Sequence, residues 1–307
     1  MQDLRRLAHV ALLLAAVLAS RGEPGIRIAT WNMRNFPSGS YNLRHPDLEP
    51  GRIRQAAAVV QEIQPDVLVL QEIRDDETCQ RLAAESGLTN LAVAVCSQFR
   101  DEFGVVSFQQ LAILTRLPVV SAWAERWKAE SNVSPPRGFV SAIVRWNGAK
   151  VAVYGVHMKS NLVIAGGEKE AQLNILRREV SARQLLAHLT HGQTNEQLRA
   201  MHAVVAGDFN TNRDNPLFVS ECTLDVFEVG GFTNCFRGLA PEQRVTYLSD
   251  GRYPPATFDY VLFKGMVLGH GPKLVETSIS DHAAVWVDCV PAVVEKGQGP
   301  QSRGAGD

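Results

Sequence analysis

The chain has 307 residues, of which 45% are hydrophobic and 21% are charged, and its formal net charge is −1. This composition is typical of a globular protein with a sizeable core, and no shift in composition divides the chain, so we expect one large domain. The near-neutral charge argues against a protein that holds nucleic acid by bulk positive charge, although a nuclease that uses a local metal charge is compatible with it.

The two ends of the chain differ from its middle. In residues 1–20 the basic pair Arg5-Arg6 precedes a short apolar run that ends in small residues. This pattern predicts a cleaved secretory signal peptide, and hence a secreted or periplasmic protein. The run is shorter than the roughly 20 apolar residues that cross a bilayer, and no later segment is apolar enough, so no transmembrane segment is expected. The folded domain is expected at 25–290, and the Gly- and Pro-rich tail at 291–307 is predicted to be disordered.

Short apolar runs alternate with two helical patterns along the predicted domain. Apolar residues recur at helical spacing over 52–63, where Pro65 ends the pattern, and again over 168–189. Asn147-Gly148 predicts a hairpin turn between two strands. Strands are predicted at 26–31, 67–70, 111–114, 140–146, 151–156, 203–206, 260–263 and 283–287. Because strands outnumber helices and the helices fall between strands, the pattern predicts an α/β (α+β) sandwich, in which two packed mixed β-sheets are flanked by helices.

Five cysteines could form disulfides if the protein is exported to an oxidising compartment. Cys222 with Cys235 is the preferred pair, because both residues flank one loop-rich segment. Cys79 with Cys96 is the second pair, and Cys289 would be left over. The alternative is that all five are small buried apolar residues.

Polar residues lie directly beside six of the predicted strands. These clusters are Trp31-Asn32, Gln71-Glu72, His157-Met158-Lys159-Ser160, Gly207-Asp208-Phe209-Asn210, Asp259 and Ser280-Asp281-His282. An isolated Asp or His at such a position is more often a turn or a structural residue, but six clusters in order predict one site at a common rim of the sheets. Carboxylate and amide oxygens are hard ligands that suit Mg²⁺, Mn²⁺ or Ca²⁺, and two histidines can transfer protons near neutral pH.

This series of motifs resembles the endonuclease/exonuclease/phosphatase superfamily, whose best-known members are the deoxyribonuclease I-like enzymes. The resemblance extends from about Ile26 to Asp288, and the Gly-Asp-Phe-Asn and Ser-Asp-His motifs together are its most specific part. It implies a four-layer α/β sandwich and the hydrolysis of a phosphate ester.

The resemblance also implies which residues bind the metal and the phosphate. Glu72, with Asn32 and Asp281 nearby, would hold a divalent cation, Mg²⁺ or else Mn²⁺ or Ca²⁺. Arg137, which precedes a strand, is similar to the phosphate-contacting arginine of the superfamily, and Asn210 would contact the phosphate as well.

The catalytic residues implied by the resemblance are two histidines and their partners. His157 and His282 match the two histidines of the superfamily, and Asp259 matches the carboxylate that orients the second. Asp208 and Asn210 match the pair that contacts the scissile phosphate and the nucleophile or leaving group. The choice between positioning the water and assisting the leaving oxygen stays open for Asp208.

One position departs from the pattern of the superfamily's nuclease branch. Many secreted members have a glutamate beside the first histidine, whereas the corresponding stretch here holds Gln109 and Gln110. A glutamine can fix the ring of His157, but it cannot stabilise an imidazolium as a carboxylate would.

For the substrate, the sequence favours nucleic acid, so that a phosphodiester of DNA or RNA is the predicted partner of a monomeric enzyme with no stable protein partner. The export signal, the compact size and the Gly-Asp-Phe-Asn form of the motif support a nuclease. Lys159 and Asn161, in the loop after the first histidine, could meet a backbone phosphate.

Two other functions are weighed against a nuclease. A lipid phosphodiesterase of the sphingomyelin type stays open, since Trp123 and Trp127 could form an apolar patch, although packing on the core is the preferred interpretation for both. A binding module that has lost catalysis is less favoured, because all the matched positions are chemically competent. The inositol-phosphatase branch is disfavoured, since Ala206 and the segment at 256–259 lack the tryptophans typical of it.

Overall fold

The computed structural model describes residues 25–101, 103–192, 200, 202–249, 251 and 253–292. The predicted signal peptide lies outside the described residues, as does the predicted tail beyond residue 292. Within the described part of the chain, no helix is long and apolar enough to span a membrane.

Twelve strands and four α-helices make up the described chain. The helices are α1 (Glu49–Ile63), α2 (Asp76–Ser86), α3 (Gly167–Gly192) and α4 (Thr223–Val229). The strands are β1 (Ile26–Phe36), β2 (Val67–Ile73), β3 (Ala92–Cys96), β4 (Gln110–Thr115), β5 (Val119–Arg126), β6 (Gly138–Trp146), β7 (Ala149–His157), β8 (His202–Asp208), β9 (Thr233–Asn234), β10 (Asp259–Lys264), β11 (Met266–Val275) and β12 (Ala284–Pro291). The two predicted helices correspond to α1 and α3.

The strands form two six-stranded sheets, and both sheets are mixed. The first has the order β11-β12-β1-β2-β4-β3, and the second has the order β5-β6-β7-β8-β10-β9. Each sheet contains one parallel pair at its centre, β1 with β2 and β7 with β8, and antiparallel pairs on either side. The predicted mixed sheets are therefore confirmed.

Helices cover the outer faces of the two packed sheets, which gives four layers. Apolar residues of α1 and α2 pack with those of β1, β2 and β4 on the outside of the first sheet. On the second sheet, Ala182, Leu185 and Leu189 of α3 join the larger core cluster that also fills the space between the sheets. These three side chains are three and four residues apart, so they lie on one buried face of the helix. The predicted four-layer sandwich is confirmed.

The central parallel strands bring the polar clusters to one rim. In the first sheet Asn32 pairs with Gln71 just before the irregular last residues of β1 and β2, and in the second sheet His157 pairs with Asp208 where β7 and β8 end. Because the two sheets pack with these ends on the same side, an Asn32 hydrogen bond reaches across to Asp208. The rim is therefore built from strand ends, which hold side chains more rigidly than loops do.

Gly207 allows β8 to deliver Asp208 to this rim. Its φ is +146°, and a Cβ added there would lie 2.0 Å from the carbonyl oxygen of Val156 on the neighbouring strand. Only a residue without a side chain fits this approach. The glycine of the Gly-Asp motif is thus required by the parallel pairing that sets His157 beside Asp208.

We expect Gly207→Ala to lower the free energy of unfolding by about 2 kcal/mol or more, because the added methyl group has no space and the backbone angle disfavours it. Urea denaturation checks this prediction. The matched control is Gly51→Ala in α1, where an added Cβ meets no atom within 4 Å. This variant should be about 0.5–1 kcal/mol more stable than the wild type, since alanine is the better helix former. Equal stability of the two variants would contradict the steric argument.

The predicted disulfide between Cys222 and Cys235 is wrong for this structure, in which all five cysteines are free thiols. Cys222 is exposed at the start of α4, where its thiol donates to Glu179 Oε1 at 3.1 Å, whereas Cys235 is buried in the core between the sheets. Flanking one loop-rich segment therefore did not bring the two side chains together. The second predicted pair, Cys79 and Cys96, is also unbonded, and the Cys96 thiol donates to the carbonyl of Ser97 instead.

Candidate active site

A short hydrogen bond at the rim joins His282 to Asp259. The imidazole Nδ1 lies 2.7 Å from Asp259 Oδ2, and both residues are buried. Burial opposes the charged ring, but Asp259 outweighs burial and raises the pKa of His282 to about 10. The hydrogen bond to Asp259 fixes the ring and directs its Nε2 away from the carboxylate.

His157 is buried beside two carboxylates but differs in charge from His282. Its Nε2 lies 3.6 Å from Asp208 Oδ2 and 3.9 Å from Glu72 Oε1. Burial, with Arg137 nearby, lowers the pKa of His157 well below its ordinary value, so the ring is neutral at pH 7. Its Nδ1 is buried without a hydrogen-bond partner among the described residues.

Neither of the two predicted glutamines holds His157. The Gln109 amide donates to Asn35 Oδ1, and the Gln110 amide donates to the carbonyls of Phe99 and Ser107. The expected carboxylate partner is thus replaced by residues that bind elsewhere. This agrees with the neutral state of the His157 ring.

Asn32 bridges two carboxylates from opposite sheets. Its Nδ2 lies 3.0 Å from Asp208 Oδ2 and 3.3 Å from Glu72 Oε1, while its Oδ1 accepts from the backbone of Arg34. Burial, with the negative charge of Asp259, raises the pKa of Asp208 well above that of an ordinary carboxyl group. The positively polarised amide nitrogen of Asn32 therefore lies between Glu72 of the first sheet and Asp208 of the second.

Asp281 lies on the edge of this cluster rather than within it. It is half-buried, and Oδ2 is 3.8 Å from Nε of the exposed Arg34. Among described His, Cys, Asp and Glu residues, the group whose ligand atoms fit within 4.8 Å of one another consists of Asp208, Asp259 and His282. The predicted metal ligands Glu72 and Asp281 are not in that group.

Arg137 and Asn210 are held by the end of β7. The Arg137 guanidinium donates to the carbonyls of His157 and Met158, and the Asn210 side chain donates to the Met158 carbonyl. The negative charges of Glu72 and Asp208 act on the Arg137 guanidinium. Asn210 also donates its backbone N–H to Asp208 Oδ1 at 2.9 Å.

Left-handed backbone conformations cluster at the same rim. Glu72, Arg137 and Asn210 have φ values of 57°, 65° and 53°, and Arg34 and Asn35 beside them have 48° and 50°. Such conformations are costly for residues other than glycine and persist where the surrounding structure enforces them. Their concentration here is typical of a functional site.

Sequence reasoning missed the segment that joins Asp259 to His282. Thr246 Oγ1 accepts from the backbone N–H groups of Phe258 and Asp259, and its carbonyl accepts from Ala283. The Tyr247 ring meets the His282 ring edge-on, with centroids 5.2 Å apart. A segment this short has no periodicity, so the sequence carried no signal for it.

Arg178 was also missed, although it reaches the rim from α3. Its fully buried guanidinium binds Glu221 at 2.5 and 2.7 Å and donates to the Lys159 carbonyl at 2.9 Å. The detectable signal was its position, because Arg178 stands four residues before Ala182 on the buried face of the helix. Arg178 therefore anchors the loop that follows His157.

The sequence pattern of the Endonuclease/Exonuclease/phosphatase family matches residues 29–282, which is most of the chain and includes every rim residue named above. The chain belongs to this family. It is therefore a phosphoric ester hydrolase, as the motifs predicted. No curated protein gave a significant match.

Solved structures of family members have the same fold. A protein of this family from Leptotrichia buccalis C-1013-b superimposes with a TM-score of 0.61 and 16% identity over 86% of this chain and 99% of its own. Sphingomyelinase C from Streptomyces griseocarneus superimposes with a TM-score of 0.57 and 18% identity over 86% of this chain and 99% of its own. A truncated Caenorhabditis elegans TDP2 superimposes with a TM-score of 0.57 and 15% identity over 86% of this chain and 97% of its own. At these identities the likeness shows the fold.

Enzymes of the Endonuclease/Exonuclease/phosphatase family generally depend on a divalent metal, and the rim residues fit one. Glu72 and Asp208 direct oxygens at the same polarised group of Asn32, and a roughly half-turn of that carboxamide would present its oxygen to the same space. In the group of Asp208, Asp259 and His282, the last two residues already bind each other. The hard oxygen donors around Asn32 are therefore the better match for a cation.

We expect Arg178→Met to lower the free energy of unfolding by about 3–5 kcal/mol, because Glu221 would be left buried without its partner. The matched control is the double variant Arg178→Met with Glu221→Leu, which replaces both charges by apolar groups and should recover most of the stability. Its kcat/KM should stay below that of the wild type, since the Lys159 carbonyl has lost its donor. Urea denaturation and steady-state kinetics measure the two effects, and full recovery of activity would contradict the anchoring role.

Proposed function

We propose that this family member is a secreted, Mg²⁺-dependent phosphodiesterase that hydrolyses nucleic acid. The observation that carries the proposal is the buried pair of His282 and Asp259, 2.7 Å apart, set beside a second histidine and two further carboxylates. Hard oxygen ligands favour Mg²⁺ among the common divalent ions, and Mn²⁺ or Ca²⁺ are the alternatives. The pattern of residues 1–20 supports export.

In this proposal His282 acts as the general base in its neutral form, which the charge of a bound cation would favour over the cationic form that Asp259 stabilises. Its Nδ1 is engaged by Asp259, so Nε2 is the nitrogen that accepts a proton from the attacking water. A bound divalent cation near Glu72 would neutralise the phosphate, polarise one of its oxygens and lower the pKa of His282 through its own charge. Asn32, Glu72 and Asp281 are the proposed residues that hold it.

The remaining rim residues would stabilise charge on the phosphate. His157 is neutral, and its Nε2, which faces Asp208 and Glu72 at the rim, can donate to a phosphate oxygen. Arg137 uses two of its nitrogens to bind carbonyls and keeps its other terminal nitrogen for an anion. Asn210 and Asp208, tied to each other through the backbone of Asn210, would hold the water or the leaving oxygen.

A lipid phosphodiesterase is the second candidate, and one observation favours it. The loop after His157 exposes three consecutive apolar residues, Leu162, Val163 and Ile164, at 44%, 38% and 83%. Exposed apolar loop residues beside a site are typical of membrane contact. The two tryptophans considered for such a patch do not form it, because Trp127 is buried against Phe139 and Trp123 packs on His188.

We expect His282→Ala to lower kcat on a phosphodiester about 100- to 10,000-fold, because the general base is removed. Asp259→Asn should lower kcat as well, since the ring loses the charge that fixes it. Both are measured on bis-p-nitrophenyl phosphate and on a single-stranded oligonucleotide. His270→Ala is the matched control, because His270 lies on the exposed edge strand β11 and should keep wild-type activity. Near wild-type turnover by His282→Ala would exclude it as the base.

Removal of divalent ions with EDTA should abolish hydrolysis, and added Mg²⁺ should restore it. Glu72→Gln should raise the Mg²⁺ concentration needed for half-maximal activity, because the strongest oxygen ligand of the proposed set loses its charge. Activity is followed on plasmid DNA and on sphingomyelin vesicles in parallel. Hydrolysis that persists in EDTA would contradict metal dependence, and release from sphingomyelin alone would favour the second candidate.

A further inference from the structure

A cleft of about 560 Å³ opens beside Arg137, and neither His157 nor His282 lines it. Four further cationic side chains line it in addition to Arg137: Arg100, Arg126, Lys159 and Arg177. Its described acidic lining residue is Asp101, and that carboxylate accepts from the backbone N–H groups of Phe103 and Val105. The volume lies in the range of sites that hold a small molecule or one unit of a larger one.

The cations of this cleft are not neutralised by described carboxylates. None of the five forms an ion pair with a described Asp or Glu within 4.0 Å. Glu170, the carboxylate that acts on Lys159, binds the backbone N–H groups of Ile164, Ala165 and Gly166 instead. Burial, together with Arg137 and Arg177, lowers the pKa of Lys159 to about 8. Like charges held this close disfavour each other, and an anion placed among them relieves the repulsion.

Two of these side chains also have unused hydrogen-bonding capacity. Arg177 Nε is buried and has no partner among the described residues, and its Nη1 binds only Asn174. Lys159 Nζ makes two long contacts of 3.2 Å with Ser160. A buried donor without a partner is costly, and an anionic oxygen would satisfy it. The loop that carries Lys159 is fixed by Arg178, so the site is built before a ligand arrives.

We propose that Lys159, Arg177 and Arg126 form a second phosphate subsite, which binds the phosphate of the nucleotide adjacent to the scissile bond. The inference rests on the proposed function and specifies its substrate as a strand with consecutive phosphates. A phosphocholine lipid carries a quaternary ammonium beyond its phosphate, and the cationic cleft would repel that group. The exposed rings of Tyr41 and Phe103, which line the cleft, can stack on the base between the two phosphates.

The test compares substrates with and without the second phosphate. kcat/KM is measured on bis-p-nitrophenyl phosphate, which has one phosphate, and on a single-stranded DNA oligonucleotide, for the wild type, Arg177→Gln and Arg126→Gln. Each variant should lower the ratio of oligonucleotide to bis-p-nitrophenyl phosphate kcat/KM about tenfold. The slope of log kcat/KM for the oligonucleotide against log salt should also become shallower by about 0.7 per lost phosphate contact.

Arg145→Gln is the matched control, because Arg145 is an exposed arginine near the far end of the strand β6 that Arg137 precedes. It should leave both the ratio and the salt slope at their wild-type values. A variant whose kcat/KM falls equally on both substrates, or does not fall on the oligonucleotide, overturns the subsite while the proposed function stands. A wild-type enzyme that cleaves bis-p-nitrophenyl phosphate or sphingomyelin but no oligonucleotide overturns the proposed function, and the subsite with it. Thermal unfolding of each variant shows that the losses do not come from misfolding.

Discussion

Two carboxylates, Asp208 and Asp259, are buried side by side where the sheets meet, and the groups around them are placed to compensate that charge. Buried charges are tolerated only when they are paired or hydrogen-bonded. The cationic ring of His282 pairs with Asp259, and the Asn32 carboxamide binds Asp208 from the opposite sheet. The same buried negative charge favours binding of a divalent cation at the rim. Stability and chemistry therefore depend on one electrostatic arrangement.

The sequence predicted the inner strands and missed the edges, for a physical reason. All eight predicted strands lie inside the sheets, whereas β3, β5, β9 and β11 are the four edge strands. Inner strands are buried on both faces and appear as apolar runs, but β5 and β11 are largely exposed and carry no such run. The rim residues were predictable because strand ends position them. The Thr246 segment and the Arg178 anchor depend on tertiary contacts that sequence spacing does not show.

The topology reveals an internal repeat that the sequence does not. The first half runs β-α-β-α-β-β and then a hairpin, from β1 to β6, and the second half repeats that order from β7 to β12. Equivalent strands occupy equivalent places in the two sheets. By strand register Asn32 thus corresponds to His157, Gln71 to Asp208 and Leu111 to Asp259. The first half supplies Asn32 and Glu72 of the proposed cation ligands, and the second half supplies Asp281 together with both proposed catalytic histidines.

The final hairpin of each half pairs with the sheet of the other half. Strands β5 and β6 extend the second sheet beside β7, and β11 and β12 extend the first sheet beside β1. Neither half contains a complete sheet, so the repeat units are interlocked and neither is an autonomous folding unit. Pairing of Ile26 with Cys289 spans nearly the whole chain, and such distant contacts slow folding. The first sheet is completed only when the last strand is available.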